Sequence, residues 1–157
     1  LENAFTLTDI LQTLAAIAPG AGLGLDVHLS GEGADPRLGS LFGALWILRC
    51  YASAAEFGLS LLTVASTSDM RHPALAALAR TLTGRDRFHA GRTALSAEQV
   101  VLHAESGAIL VGNLLRSSQA LPASFELVHH RTLSPTGWRD GAGPLREMGP
   151  YEVVLLG

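Results

Sequence analysis

The chain of 157 residues has no lysine, one cysteine and few aromatic rings, 6% of its residues. Its 11 basic side chains are all arginines, scattered among 14 acids for a net charge of −3. Without a basic run or stripe there is no electrostatic footprint for nucleic acid. The lone Cys50 excludes an internal disulfide and a cysteine-based zinc site, and its expected role is that of a small buried hydrophobe. The missing lysine fits a codon bias toward GC-rich arginine triplets, which points to a bacterial source. The opening Leu1-Glu2-Asn3 has neither a charged start nor an apolar stretch, so no signal peptide is read. It also lacks an initiator Met, which fits an excised segment, and a cytoplasmic location is the expectation.

No long apolar run is uninterrupted either. Residues 38–64 approach the roughly 20 apolar residues a membrane span needs. Arg49 and Glu56 break that stretch, however, and Gly58 ends it. Burial inside protein is the expectation, and no membrane partner. With 48% of residues apolar, a substantial core can form.

The periodicity of "TLTDILQTLAAIA" (6–18) predicts a helix with Ile10, Leu11, Leu14, Ile17 and Ala18 on one face. Thr6 and Asp9 are spaced like a capping box, and Pro19-Gly20 is the stop. "GLGLDVHLS" (22–30) alternates, with leucines and Val27 on one side and Gly24, Asp26, His28 and Ser30 on the other, as in a strand with one polar face. The loop "GEGADP" leads to a long helix over 38–57 that is apolar around most of its circumference. "LSLLTVAS" (59–66) reads as a buried strand, and "HPALAALARTLTG" (72–84) as a helix with Pro73 in its first turn and Gly84 at its stop.

After about residue 90 the texture becomes short strands between Gly/Pro-rich loops. "EQVVLHA" and "GAILVGNLL" flank a Glu105-Ser106-Gly107 turn, and "SFELVHH" and "YEVVLL" are two further strands. Residues 85–97 read as a linker. The expected fold class is therefore α/β followed by all-β, in two units: 1–84, the incomplete terminal β/α units of a TIM-type barrel, and 98–157, a small antiparallel β-sandwich. Two parallel strands cannot by themselves bury the long helix, so its partners are expected upstream of Leu1.

"DPRLGSLFGALWILRCYASAAEFG" is similar to the D-P-R-x-x-x-L-F-G-A-x-W-x-L stretch of D-apionate lactonases, and "ILVGNL … PYEVVLL" resembles the close of that family. The resemblance follows the order of elements along nearly the whole chain. It implies a barrel and flanking β domains that open a sugar-acid lactone, with a small carbohydrate or sugar acid as substrate and no cofactor. The heparanase-like β-glucuronidases share the layout, but their nucleophilic Gly-Glu at the end of strand 7 is matched here by Leu25-Asp26, one methylene shorter.

On the polar face of the first strand, Asp26 can orient His28, and His28 can activate water against a lactone carbonyl. Glu32 in the next loop is a spare acid or base. The alternative is that Asp26 and His28 merely face solvent on a half-exposed strand. Trp138, in the Gly-rich "SPTGWRDGAG", is the candidate for substrate contact, whereas Trp46 among Phe42, Leu45, Ile47 and Leu48 belongs to a core. His129 and His130 point to opposite faces of a strand and cannot chelate one ion together; no metal site is read. The Gly-x-Gly triplets lack the spacing of a nucleotide-binding loop.

The functional expectation is a C-terminal segment of a carbohydrate-active hydrolase, inactive alone and completed by a missing upstream barrel. The alternatives are a retaining glycoside hydrolase of heparanase-like type, as the second resemblance implies, or a non-catalytic binding or association module whose long helix is covered by another copy in a homo-oligomer.

Overall fold

The computed structural model describes residues 2–20, 24–28, 40–57, 61–65, 72–84, 88–89, 98–121 and 129–157. Helix α1 spans Glu2–Ile17, strand β1 Gly24–His28, helix α2 Leu41–Glu56, strand β2 Leu61–Ala65 and helix α3 Pro73–Leu82. Strands β3 (Phe88–His89), β4 (Gln99–Ala104), β5 (Ile109–Asn113), β6 (Gln119–Ala120), β7 (His129–Ser134), β8 (Gly137–Ala142), β9 (Glu147–Met148) and β10 (Val153–Leu156) follow. Strands β1 and β2 pair in parallel, from Gly24 opposite Leu61 to His28 opposite Ala65. The others are antiparallel: a six-stranded sheet in the order β3-β4-β5-β10-β7-β8 and a small β6-β9 pair. The architecture is thus α/β followed by β-rich.

Both faces of the large sheet are apolar because its inner strands alternate between two cores. Val100, Leu102, Leu110, Leu133 and Val153 face α2 and α3, which contribute Ala44, Leu45, Leu48, Ala74, Leu75 and Leu78. Val101, Val111, Val154 and Leu156 face the other way and meet Leu121 and Met148, beside and within the β6-β9 pair. Central position explains the apolar "VVLL" of β10, whose Val153, Val154 and Leu156 are fully buried.

Helix α2 is covered by elements of this chain, so its burial does not itself call for partners upstream of Leu1. Its apolar surface lies on β4 and β5, beside α3 and α1. Gly112 permits the contact: a methyl group there would lie 2.6 Å from Leu45 Cδ1 and 3.1 Å from Leu48 Cδ2, so only a residue without Cβ lets the helix settle on the strand. Trp46 packs against the rim of this core, and Cys50 is buried as expected. Burial pushes the Cys50 thiol up to about 12.

Helix α1 departs from the reading in two ways. It begins at Glu2, so Thr6 and Asp9 lie inside it and cap nothing; the Asp9 carbonyl instead accepts from the Thr13 hydroxyl at 2.9 Å. Of its apolar stripe Leu11 is buried, while Ile10, Leu14 and Ile17 are 51%, 42% and 74% exposed. The side turned to α2 is polar at its centre. Arg49, buried on α2, donates from Nη1 to Ser53 Oγ at 2.8 Å and from Nη2 to Thr8 Oγ1 at 3.4 Å, and Thr8 and Ser53 hydroxyls lie 3.1 Å apart. Burial lowers the Arg49 guanidinium pKa, and the nearby Glu56 carboxylate opposes that shift.

Two further readings change. Within the expected linker, Phe88 is buried and β3 pairs with β4, adding an edge strand. The "SPTGWRDGAG" stretch is not a loop: Pro135 and Thr136 form the turn of a β7-β8 hairpin in which Leu133 opposes Trp138 and Arg131 opposes Asp140. Gly137, with φ of +112°, supplies the left-handed residue after that turn.

Candidate functional site

The residues singled out in the sequence fall in two places. Asp26 lies in the middle of β1, in register with Thr63 of β2, and both side chains are exposed. Neighbours in register share a face of the sheet, so this parallel pair presents a carboxylate beside a hydroxyl to solvent. His28 is the last residue of β1, opposite Ala65; its side chain, and Glu32 altogether, lie outside the described residues. Of the expected trio, Asp26 alone is placed at side-chain level.

Trp138 lies on β8, at the edge of the large sheet, and packs against α3. Its indole N–H donates to Thr81 Oγ1 at 2.9 Å, and the Thr81 hydroxyl in turn donates to the Ala77 carbonyl at 3.1 Å. On the same face of the hairpin, diagonal to Trp138, the Arg131 guanidinium carbon lies 5.9 Å from the indole centroid. Arg131 Nε is 3.1 Å from Asp140 Oδ1. Between α3 and this hairpin is an open cleft of about 380 Å³ lined by Ala77, Arg80, Thr81, Arg131, Thr136, Gly137 and Trp138.

The sequence reading identified Trp138 but missed its companions Arg80, Thr81, Arg131 and Thr136. The signal was available in Ser134-Pro135-Thr136-Gly137, a turn signature that folds 129–142 into a hairpin and brings Arg131 beside Trp138 by cross-strand geometry. Nothing in the sequence announces that α3 docks there.

Of the other histidines, His89 of β3 stands in register with His103 of β4. His129 is exposed, and His130 is half-buried across from Gly141, whose missing side chain leaves room for the imidazole. Among the described residues no group of three or more His, Cys, Asp or Glu is placed to hold a metal ion. Nor is any described helix long and apolar enough to cross a membrane. No protein-family model and no curated protein matches the sequence.

Proposed function

We propose that the chain is the C-terminal part of a carbohydrate-active hydrolase built from a (β/α) barrel and a β-rich domain, and that the whole enzyme opens a sugar-acid lactone. The observation that carries this reading is the β1-α2-β2-α3 unit: two parallel strands joined through a helix, with Asp26 and Thr63 exposed side by side. Parallel strands are normally covered on both faces and flanked by others, so a two-stranded parallel sheet suits the end of a larger one. In a barrel the polar side of such strands faces inward toward the catalytic mouth.

In that setting Asp26 orients His28 and stabilises its charged form. His28 takes a proton from water as the water oxygen adds to the lactone carbonyl carbon. The ring C–O bond then breaks and the departing oxygen receives that proton, leaving a hydroxy acid. Glu32, four residues further along the chain than His28, is the spare acid or base. The barrel-bearing whole enzyme, like the lactonase family itself, is an expectation of resemblance, and the segment alone should be inactive because barrel enzymes draw groups from several strands.

The test is the coding sequence on the 5′ side of the Leu1 codon, followed by assay of the full gene product on aldonolactones and on an aryl glucuronide. Lactone hydrolysis reduced at least about a hundredfold by Asp26→Asn is expected for a residue acting in the general-base pair. Cleavage of the glucuronide alone would replace the lactonase with a heparanase-like glycosidase. Turnover of neither substrate, or full activity without Asp26, would sink the hydrolase reading.

A second reading has its own observation. Ile10, Leu14 and Ile17 lie four and three residues apart and form an exposed apolar stripe on α1. In a non-catalytic association module a second copy would cover that stripe. Sedimentation showing a strictly monomeric chain would dismiss that version.

A further inference from the structure

The cleft between α3 and the β7-β8 hairpin has a chemical bias that follows from counting its protons. The Thr81 hydroxyl hydrogen is spent on the Ala77 carbonyl, and its oxygen accepts the indole N–H of Trp138. Ser134 donates to the Gly137 carbonyl at 2.7 Å, so the Ser134–Thr136 contact of 3.0 Å must use the hydrogen of Thr136. Both lining hydroxyls and the indole are therefore committed as donors within the protein. What remains for a ligand is guanidinium N–H: Arg80 has no hydrogen-bond or ion-pair partner among the described residues, and Arg131 engages Asp140 through Nε and keeps its Nη groups.

The charge points the same way. The lining holds two arginines and no carboxylate, on a chain whose net charge is −3. Asp140 stands outside the lining at 88% side-chain exposure, where an ion pair contributes little and yields readily to a competing anion. The Arg131 guanidinium stands 5.9 Å from the Trp138 ring centroid, within cation–π range.

We infer that this cleft binds a small carboxylate that carries hydroxyl groups, such as a sugar acid. Guanidinium forks match a carboxylate with two parallel hydrogen bonds, and the sugar hydroxyls can donate to the lone pairs of Thr81 and Thr136. A cleft of about 380 Å³ is of the size that small-molecule sites use. The site is made wholly of α3, β7, β8 and their turn, and it does not depend on the hydrolase reading: it can be right if Asp26 has no catalytic role, and wrong if it has one.

Because the chain has only two tryptophans, its indole N–H groups give a two-peak NMR probe, assigned with Trp46→Phe. The full 157-residue chain is titrated with D-glucuronate, D-gluconate, D-glucose and inorganic phosphate up to about 50 mM, the range in which weak single-site binding is still measurable. Saturable movement of the Trp138 peak with a sugar acid is expected, absent with glucose and weaker with phosphate. Arg80→Gln and Arg131→Gln should each weaken it about tenfold or more, as loss of a charge-assisted pair does. Unchanged far-ultraviolet dichroism of both variants separates lost binding from lost fold. No saturable shift with either sugar acid, an equal shift with glucose, phosphate binding as tight as the sugar acid, or full binding by both folded variants would each overturn the assignment.

Discussion

Leu45 of α2 sits directly over Gly112 of β5, at a point where a single methyl group on the strand would meet the leucine side chain. The helices and the antiparallel sheet share one core through this contact, with both Leu45 and Leu48 fully buried around it. Gly112→Ala must displace the Leu45 side chain or push α2 outward, with Leu48 giving way by a few tenths of an ångström. Overpacking of this kind destabilises by about 1–3 kcal/mol. Urea denaturation of the variant should show that loss in midpoint with an unchanged slope.

Asn113, next along β5, is fully buried and fully employed. Its side-chain amide donates to the carbonyls of Ser117 and Gly149 at 2.9 and 2.8 Å, and its Oδ1 accepts the Leu115 N–H at 2.9 Å. It thereby ties the chain leaving β5 to the turn that precedes β10. Asn113→Ala should remove about 2–4 kcal/mol of stability, since three hydrogen bonds of about 1 kcal/mol each vanish from a fully buried position. Hydrogen exchange should localise the loosening to residues 114–118 and 149–152.

Helix α1 offers a contrast within two turns. Leu11→Ala removes a side chain that is 2% exposed and should cost about 2–4 kcal/mol. Ile17→Glu alters one that is 74% exposed and should leave unfolding of the isolated chain within about 0.5 kcal/mol. Parallel thermal melts of the two variants check the difference.

Cys50 carries a pH signature. Its thiol is held up to about 12 by burial, against 9.0 ordinarily, so above pH 9 the unfolded chain loses a proton that the folded chain keeps. The stabilisation is complete below pH 9 and is lost as pH rises toward 12, at up to about 1.4 kcal/mol per unit. The Tyr51 hydroxyl, also raised by burial, acts in the same direction. Cys50→Ala should flatten the fall in stability between pH 9 and 11, and the native thiol should react with a disulfide reagent only at the rate of unfolding.

The order of elements was legible because it rests on local periodicity: α2, α3, the β4-β5 hairpin and β10 lie close to where their patterns put them. Partners were harder to read. A helix apolar all round announces burial without naming what buries it, and the clue that α2 lies on β5 is a single glycine in an apolar strand. The β7-β8 hairpin hid because "GWRDGA" belongs to an edge strand whose polar and glycine residues carry no alternation. In α1 the spacing of Thr6 and Asp9 mimicked a cap, while the residues before them continued the helix. Of the candidate site, Asp26 was legible on its strand, but the arginines around Trp138 required knowing where α3 docks.

The placement of β10 bears on how the molecule is made. It is the last of these elements to leave a ribosome, yet it occupies the middle of the large sheet, between β5 and β7. Until it arrives, β5 and β7 each hold an edge with no neighbour to pair. Such long-range closure slows folding and leaves strand edges available to other nascent chains. A chain cut short before β10 therefore lacks the strand that stands between β5 and β7, and the four residues Val153–Leu156 are what joins the two hairpins into one sheet.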